Sequence, residues 1–532
     1  MPFRTIRKKF RVISPIAQVG GAFTTLNYLL RDLFNTDRAA GAVNGTAAEP
    51  GPGTRTVVDT NGIVTLSGGG MVMNGTNAAA DRLTYAALTR AAGRLLKFDI
   101  TDMTSMGASS GSTRTGLVSA AGASIDIGMD FGGGFGRVKS GVSALFTPHS
   151  YISSDDFFLY FVMKATGGYL LVKKNSGAIE LLWVYATGSS DLLFQVYLAN
   201  AESHNFQIDN VASPDRLYLP PVLAYDTFTR ANGALGNSEA TGPDAQAVTA
   251  RAWTGATWAV ASNVAVNTPV AGSDLIVNGG FAADTDWTKG AGWTIAAGVA
   301  TATGGISTDL TAAVAPLTLG AWYEIAYTIS GFAAGTCAVV IGAFVAQGNG
   351  SNGTKAITGR ATSTALALRG AGFTGNADNL SAKALTLSEL FASLQVSVAD
   401  VLADVNATIT ANAQGGLVLN LDSAATPANF VIAYHDGQRA ILEKCVAGTY
   451  TTVISANATY SAGATLRVIK SGTSYALYYN GAQVGATSTI SDAGIISNTL
   501  HGLFSTSGLN SLDGLSIHPR GTNGEYEGLS DF

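Results

Sequence analysis

Short segments of strand length recur along most of this chain, and they limit its fold more than any other feature. Gly, Asn, Asp and Ser, which favour turns, separate these segments. Many short strands at such spacing are typical of antiparallel sandwiches. We therefore predict an all-β fold of tandem antiparallel β-sandwiches, or jelly rolls. Six segments with strand character precede residue 215: 62–67, 94–100, 157–163, 168–173, 178–185 and 192–198.

The composition agrees with small side chains on pleated sheets. Hydrophobic residues make up 47% of the 532 residues, charged residues make up only 13%, and there are 64 glycines. The charged share is about half of the usual ~25%. The length allows roughly three or four domains. The formal net charge of −5 gives no electrostatic match to nucleic acid, so we predict no nucleic-acid partner.

One stretch indicates that a sandwich is inserted within another. Residues 275–281 contain a short apolar strand and an Asn-Gly-Gly turn, as expected at the start of a compact sandwich. Upstream, residues 225–236 begin a different sandwich, whose further strands resume only after residue 385. We therefore expect the two ends of the insertion, near residues 270 and 385, to lie close together.

These observations divide the chain into five parts. Three closing strands, at 208–212, 377–381 and 512–516, share the pattern apolar–Asp–Asn/Gly–apolar–small, which supports three related sandwiches. The predicted parts are an N-terminal anchor arm and linker (1–54), a first sandwich (55–215), a discontinuous second sandwich (224–270 plus 385–518), an inserted sandwich (274–383) and an acidic tail (519–532).

The N-terminal arm differs from the rest of the chain. It combines a basic cluster with a short segment whose apolar residues recur at helical spacing. Such a helix is too short to form a core alone, so it needs a partner surface on its own chain or on another subunit. A short helical or extended anchor is therefore predicted here. The predicted anchor residues are Arg7, Lys8, Lys9, Phe23, Leu26, Leu30 and Leu33.

We expect neither a membrane span nor a secretion signal. No apolar run reaches the ~18–20 residues that a membrane span needs. The apolar segment 12–30 follows basic residues, as in a signal peptide, but Pro15, Gln18 and Gly20 interrupt it. Release by cell lysis is the expected route out of the cell. The two cysteines, Cys337 and Cys445, are expected to be buried small apolar residues.

Several motifs resemble a known superfamily. Asp-x-Phe-x-Arg at 226–230, Trp-x-Val-x-Ser-Asn at 258–263 and Leu-Tyr-Tyr-Asn-Gly-Ala at 477–482 resemble concanavalin A-like lectins and glucanases, particularly laminin-G-like modules. The inserted unit resembles a carbohydrate-binding module of the galactose-binding jelly-roll type, through 275–281 and Asp-Asn-Leu-Ser at 378–381. The combination resembles phage tail-fibre and other virion-surface proteins.

This resemblance implies a structural and attachment role on the surface of a virion, which becomes extracellular after release. Residues 1–50 would bind other virion proteins, and the sandwiches would present glycan-binding surfaces to the host. Homotrimers are the default for such fibres, so a homo-oligomer is expected. Two alternatives remain open. One is a purely structural capsid or tail decoration protein without glycan binding, and the other is a secreted bacterial adhesin.

We predict no enzymatic activity. Glucanases of the superfamily carry Glu-x-Asp-x-Glu on one strand face, because the acid and the nucleophile must flank one bond. The nearest stretch here, 124–130, has Ser124 and Gly128 where the glutamates are needed. Its aspartates, Asp126 and Asp130, are interpreted as part of an ordinary turn. The histidines show no spacing that suits a metal site.

The candidate ligand-binding residues combine aromatic rings with nearby charges, as sugar sites do. The five candidates are Asp284, Trp287, Tyr434, Asp436 and Arg439. The alternative for each ring is packing in a core.

We predict no cofactor. Among metals, only a structural calcium ion is considered. The candidate calcium ligands are Asp155 and Asp156, for which the alternative is a solvated turn.

Overall fold

The structure, a computed structural model, confirms the all-β prediction. All strand pairings among the described residues are antiparallel. The residues it describes are 28–39, 41–49, 52–76, 81–106, 113–118, 125–132, 135–141, 143–152, 155–186, 193–198, 203–215, 217–314, 316–342 and 344–529.

The first sandwich consists of an eight-stranded and a seven-stranded sheet. Its strands β1 to β15 are Tyr28–Asp32, Thr56–Val58, Val64–Ser67, Gly70–Thr76, Arg82–Thr84, Leu95–Met106, Thr113–Val118, Ile125–Gly132, Phe135–Gly141, Ser143–Ser150, Phe157–Met163, Gly168–Lys174, Glu180–Tyr185, Leu193–Leu198 and Ser203–Pro214. One sheet has the order β13-β12-β11-β6-β15-β4-β3 with β1 beside β15, and the other has the order β10-β9-β8-β7-β14-β5-β2.

The second sandwich, which we call the host, is interrupted by the inserted one. It begins with β16 to β19, which are Ala224–Asp226, Gly233–Ala234, Trp258–Ala261 and Val264–Asn267. The inserted sandwich follows with β20 to β28, which are Ala271–Asp274, Trp287–Lys289, Trp293–Ala296, Val299–Ile306, Asp309–Ala312, Trp322–Ile341, Phe344–Val345, Gly353–Arg360 and Ala367–Leu385.

The host then resumes after the short 3₁₀ segment Leu387–Leu390. Strands β29 to β39 are Phe391–Gln395, Val401–Thr408, Gly415–Leu421, Phe430–His435, Arg439–Val446, Thr449–Asn457, Ala464–Ser471, Ser474–Tyr479, Ala482–Thr489, Leu500–Ser505 and Ser511–Pro519. The helix α1 (Ala493–Ile496) and the 3₁₀ segments Pro243–Ala245 and Glu527–Leu529 complete the described elements.

The strand pairing explains why the host can be interrupted. Strands before the insertion (β16, β18 and β19) and after it (β30, β35 and β39) share one nine-stranded sheet, while β29-β38-β31-β32-β33-β34 form the opposite sheet. At the base of the insertion, Ala271 pairs with Leu385. The two ends of the insertion therefore lie side by side, as predicted.

The inserted sandwich covers the outer face of the six-stranded host sheet. Strands β31 and β32 are buried at each residue, although a sheet with one face in water alternates between buried and exposed residues. Trp322 of β25 provides the cover: its ring packs edge-on at 5.3 Å from Phe504 and 6.4 Å from Tyr434. We call this contact the aromatic seam, formed by Trp322, Phe391, Phe430, Tyr434, Tyr450 and Phe504.

A second aromatic contact joins the first sandwich to the host. The ring of Trp183 in β13 meets that of Tyr478 in β36 at 4.8 Å, and the guanidinium of Arg467 lies 4.1 Å from the centre of the Trp183 ring. Arg467 Nη2 also donates a hydrogen bond of 2.9 Å to the Val184 carbonyl. The first sandwich is thus packed against the host rather than separated from it by a free linker.

Of the two forms predicted for the N-terminal anchor, the helix is wrong over Tyr28–Asp32, which is extended. This segment is strand β1, which pairs with β15. Leu30 is buried in the first sandwich, because alternate residues of a strand face the core. Leu33 follows the strand and is only partly buried. The other predicted anchor residues, Arg7, Lys8, Lys9, Phe23 and Leu26, lie outside the described residues.

The segment predicted as a linker is also packed against the first sandwich. The buried Asp32 carboxylate accepts hydrogen bonds from Arg55 Nε (2.6 Å), from the Tyr85 hydroxyl (2.6 Å) and from the Glu49 backbone N–H (3.2 Å). Val43 is buried in the same core. A buried carboxylate needs several donors, and these donors fix the intervening chain in place.

The predicted acidic tail is not a free tail in the part that the structure describes. Tyr526 and Leu529 are buried in the core of the first sandwich, and the buried Arg520 forms an ion pair with Glu180 at 3.3 Å. The burial of its two apolar side chains, rather than its acidic charge, therefore determines where this segment lies.

Both cysteines are buried and unpaired, as predicted. Burial raises the pKa of the Cys445 thiol to about 11, so it remains protonated at neutral pH. Among the helices of the described residues, none has the length and apolar character that crossing a membrane requires.

Two buried histidines of the host predict how stability depends on pH. Burial lowers the pKa of His501 to about 3 and that of His518 to about 4, whereas histidine in an unfolded chain titrates near 6.5. Unfolding therefore takes up protons below about pH 6.5, and each ring lowers the free energy of unfolding by up to about 1.4 kcal/mol per pH unit down to its folded pKa.

We expect the thermal midpoint of the host, followed by tryptophan fluorescence, to be lower at pH 5 than at pH 7. His518→Phe keeps a planar ring without a titratable nitrogen, and it should weaken this dependence. A midpoint that is equal or higher at pH 5 in the unmodified chain would contradict the assignment.

Candidate functional site

A groove runs along the edge of the aromatic seam. It consists of two adjoining cavities of about 180 Å³ each. One wall belongs to the inserted sandwich and includes Phe344, and the other belongs to the host and includes Gln414. Both residues line both cavities, as do Asp436 and Arg439. We call this feature the seam groove.

Three of the predicted site residues line the seam groove: Tyr434, Asp436 and Arg439. They lie around the turn that joins β32 to β33. In this turn Asp436 Oδ1 accepts hydrogen bonds from the backbone N–H groups of Gln438 (2.9 Å) and Arg439 (2.7 Å). An Asp-Gly pair favours such a turn because the aspartate caps it and Gly437 takes a positive φ of 92°.

The same aspartate orients Arg439. Nε and Nη2 of Arg439 both donate to Asp436 Oδ2, at 3.1 and 2.8 Å. The aspartate side chain is only 9% exposed, whereas the arginine side chain is 44% exposed. Asp436 therefore acts as a support, and Arg439 is the member of the pair that a ligand can reach.

An ion pair crosses the groove between the two sandwiches. Arg360 Nη2, at the end of β27, donates to Glu443 Oε1 of β33 at 2.7 Å. Glu443 also accepts from Thr452 Oγ1 (2.7 Å) and from the Tyr434 hydroxyl (3.1 Å). The Arg360 guanidinium lies 4.3 Å from the centre of the Tyr450 ring. A buried carboxylate is tolerated here because three donors surround it.

Tyr434 does not present the exposed ring that we expected. It is 6% exposed and lies in the aromatic seam, because Trp322 covers that face of the host sheet. Burial, reinforced by the negative charge of Glu443, raises the pKa of Tyr434 well above its ordinary value. The phenol therefore stays protonated and serves as a donor to Glu443.

Trp287 and Asp284 do not line the seam groove. Trp287 is 8% exposed, and its ring packs against Phe281 at 5.1 Å. Its indole Nε1 donates to the Asn278 carbonyl at 3.1 Å. The expectation that Trp287 exposes a ring face is therefore wrong, because the ring is buried in the core and bonded to the Asn-Gly-Gly turn. Asp284 is exposed and bonds to Lys289.

The sequence did not identify Arg360, Glu443, Phe344 and Tyr460 as site residues. Phe344 and Tyr460 line the groove with partly exposed rings. One signal was present: Glu443 is a single acid in the apolar segment 440–445, and a buried acid requires a partner. The identity of that partner, on a different sandwich, was not readable from the sequence.

The candidate calcium ligand Asp155 already has protein partners. Its carboxylate binds Lys174 Nζ at 2.9 Å and accepts hydrogen bonds from the Asn175 side chain and from the Ile152 backbone N–H, both at 2.8 Å. Burial alone would raise the pKa of Asp155, but these donors lower it below its ordinary value. Within the described ranges, no three His, Cys, Asp or Glu side chains form a group suited to a metal ion.

The stretch compared with glucanases is a strand rather than a turn. Residues Ile125–Gly132 form β8, which pairs with β7 and β9. Asp130 is buried in this strand. The interpretation of Asp126 and Asp130 as part of a turn is therefore wrong, and Ser124 lies outside the described residues.

Comparison of the sequence with protein-family models and with curated proteins finds no match. Similar solved structures include a carbohydrate-binding module, CBM66 of Bacillus subtilis (14% identity, 24% of this chain, 78% of that chain, TM-score 0.19). LamAcat of Zobellia galactanivorans is another (10% identity, 36% of this chain, 98% of that chain, TM-score 0.24). The GH43 protein BlXynB of Bacillus licheniformis is a third (11% identity, 75% of this chain, 65% of that chain, TM-score 0.21). The sheets of this chain themselves define the class, an all-β protein of tandem antiparallel sandwiches.

The aromatic seam leads to a prediction about stability. Trp322→Ala should destabilise the joined host and inserted sandwiches by about 3–5 kcal/mol, because it leaves a cavity beside the three aromatic rings that Trp322 contacts, those of Tyr434, Tyr450 and Phe504. Urea unfolding followed by tryptophan fluorescence, with limited proteolysis near residues 270 and 385, measures the effect. Val345→Ala, at an exposed position of the inserted sandwich, is the control. Unfolding of Trp322→Ala at the same urea concentration as the unmodified chain would contradict the role of the seam.

Proposed function

We propose that the seam groove binds a carbohydrate and that the chain is a glycan-binding protein. The observation that carries this proposal is the combination of two partly exposed rings, Phe344 and Tyr460, with the exposed guanidinium of Arg439. An aromatic ring contacts the apolar face of a pyranose, and donors at its edge bind the hydroxyl groups. Each cavity, at about 180 Å³, holds a small unit of such a ligand.

The groove is organised before any ligand arrives. Asp436 holds Arg439 through two hydrogen bonds, so that the guanidinium loses little freedom on binding. On the opposite wall, the Gln347 backbone N–H donates to Asn412 Oδ1 at 2.7 Å, which ties the inserted sandwich to the host at the end of the groove. This rigidity favours selective binding of a ligand that contacts both sandwiches.

Binding without hydrolysis is the mode that the carboxylates favour. A glycosidase needs two carboxyl groups that can reach the scissile bond, one of them as proton donor. In the seam groove, Asp436 is held by Arg439 and its own turn, and Glu443 is held by Arg360, Thr452 and Tyr434. These contacts support a binding role for the site rather than a catalytic one.

A glycan array tests the binding site. Phe344→Ala and Arg439→Ala should each weaken binding of the recognised glycan about tenfold or more, equivalent to about 1.4 kcal/mol, because each removes a ligand contact. Arg369→Ala is the matched control: Arg369 is 45% exposed and pairs with Asp309 on the inserted sandwich, but it does not line the groove. Equal losses in the three variants, or no glycan bound by the unmodified chain, would overturn the proposal.

We further propose that the chain displays this groove on the surface of a phage-like particle, as part of a homo-oligomeric fibre, with a homotrimer as the favoured state. The support comes from the basic cluster of Arg4, Arg7, Lys8, Lys9 and Arg11 in an otherwise acidic chain. Because residues 28–39 and 41–49 belong to the first sandwich, the segment available for docking onto other virion proteins shortens to 1–27. A decoration protein without glycan binding and a secreted adhesin are the competing roles.

Deletion of residues 2–27 tests this placement. We expect the deleted chain to fold and to retain glycan binding, since β1 and the core of the first sandwich remain, but to be lost from particles. Particle fractions from lysed cells, probed for the chain by immunoblotting, measure incorporation. Unchanged incorporation, or export of the unmodified chain from intact cells, would contradict attachment through this arm.

A further inference from the structure

We infer that the seam groove selects an uncharged glycan, an inference that rests on the carbohydrate binding proposed above. The lining of the two cavities contains two cations, Arg360 and Arg439, and two carboxylates, Asp436 and Glu443. The formal charge of the lining is therefore zero. Each cation is also paired directly with one of the carboxylates, so neither sign of charge is left without compensation.

The two carboxylates have little capacity left for a cationic ligand. Asp436 accepts four hydrogen bonds, two from backbone N–H groups at Oδ1 and two from Arg439 at Oδ2. Glu443 accepts three, from Arg360, Thr452 and Tyr434. An ionised carboxylate offers about four such positions, so the protein itself fills nearly all of them.

An anionic ligand is disfavoured for the opposite reason. A uronate or sulfate group that approached Arg439 would also approach Asp436, whose charge already neutralises the guanidinium. The same holds at Arg360, where Glu443 is buried beside the cation. The ligand group would lose its hydration without gaining an uncompensated positive charge, which is an unfavourable exchange.

The groups that remain suit hydroxyl and ring oxygens. Ser455, Gln438 and Gln347, all exposed, add neutral side chains to the lining. Hydroxyl groups both donate and accept, so they match a mixture of amide, hydroxyl and guanidinium groups, whereas a carboxylate only accepts.

The test compares polymers that differ only in charge. One probe is an α-1,4-linked oligogalacturonate, and its partner is the same oligosaccharide with each carboxylate reduced to the primary alcohol. A panel of neutral glucan, mannan, galactan and chitin oligosaccharides accompanies them. The full-length chain should bind at least one neutral probe and bind the uronate at least tenfold more weakly than its reduced form. Affinity for the neutral probe should change less than about twofold between about 0.05 and about 0.5 M NaCl.

A charge variant makes the test specific for the groove. Asp436→Asn keeps the acceptor that caps the turn but leaves Arg439 without its compensating charge, so it should gain salt-sensitive binding of the uronate. Asp309→Asn, which frees Arg369 outside the groove, is the matched control and should gain none.

The outcomes separate the two proposals. Preferential binding of the uronate by the unmodified chain, lost in Arg439→Gln, would overturn the neutral selection and leave glycan binding in the groove intact. Equal gains in Asp436→Asn and Asp309→Asn would also overturn it, because charge in the groove would then have no special effect. No binding to any probe or array glycan would overturn the proposed function itself.

Discussion

The burial of Trp322 against the outer face of the six-stranded host sheet is the contact on which the arrangement of the two interleaved sandwiches depends. That sheet has two apolar faces, and only one of them faces the core of the host. A buried tryptophan removes about 150–250 Å² from water, which at ~25 cal/mol per Å² contributes about 4–6 kcal/mol. The insertion is therefore part of the host's folded state, since the host sheet would otherwise expose an aromatic surface.

The seam groove follows from the same contact. Where the aromatic packing ends, the chain places polar groups that cross between the sandwiches, and Arg360 meets Glu443 there. Neither sandwich contains the groove alone, because Phe344 and Arg360 come from one and Tyr434, Asp436 and Arg439 come from the other.

The sequence predicted what depends on local patterns and missed what depends on contacts between distant segments. Alternation and turn residues were sufficient for the all-β class. The position of the interruption predicted that the ends near residues 270 and 385 lie close together, and Ala271 pairs with Leu385 there. The Asp-Gly turn likewise placed Asp436 and Arg439 together. The exposure of Tyr434 was harder to predict, because the face of the sheet on which it lies is covered by a tryptophan of the inserted sandwich. Asp32 and Arg55, which fix the N-terminal segment, are a pair that no periodicity reveals.

Both junctions of this chain use an arginine in the same way. Arg467 lies over Trp183 of the first sandwich while its Nε and Nη2 donate to Asp404, and Arg360 lies over Tyr450 while its Nη2 donates to Glu443. A planar guanidinium can stack on a ring and donate in its own plane at once, which a lysine ammonium cannot do. The paired carboxylate compensates the charge, so that the cation can lie inside a largely apolar interface. Stacked and compensated arginines therefore let three sandwiches pack closely in a chain with few charged residues. At the groove the same compensation leaves the lining without net formal charge.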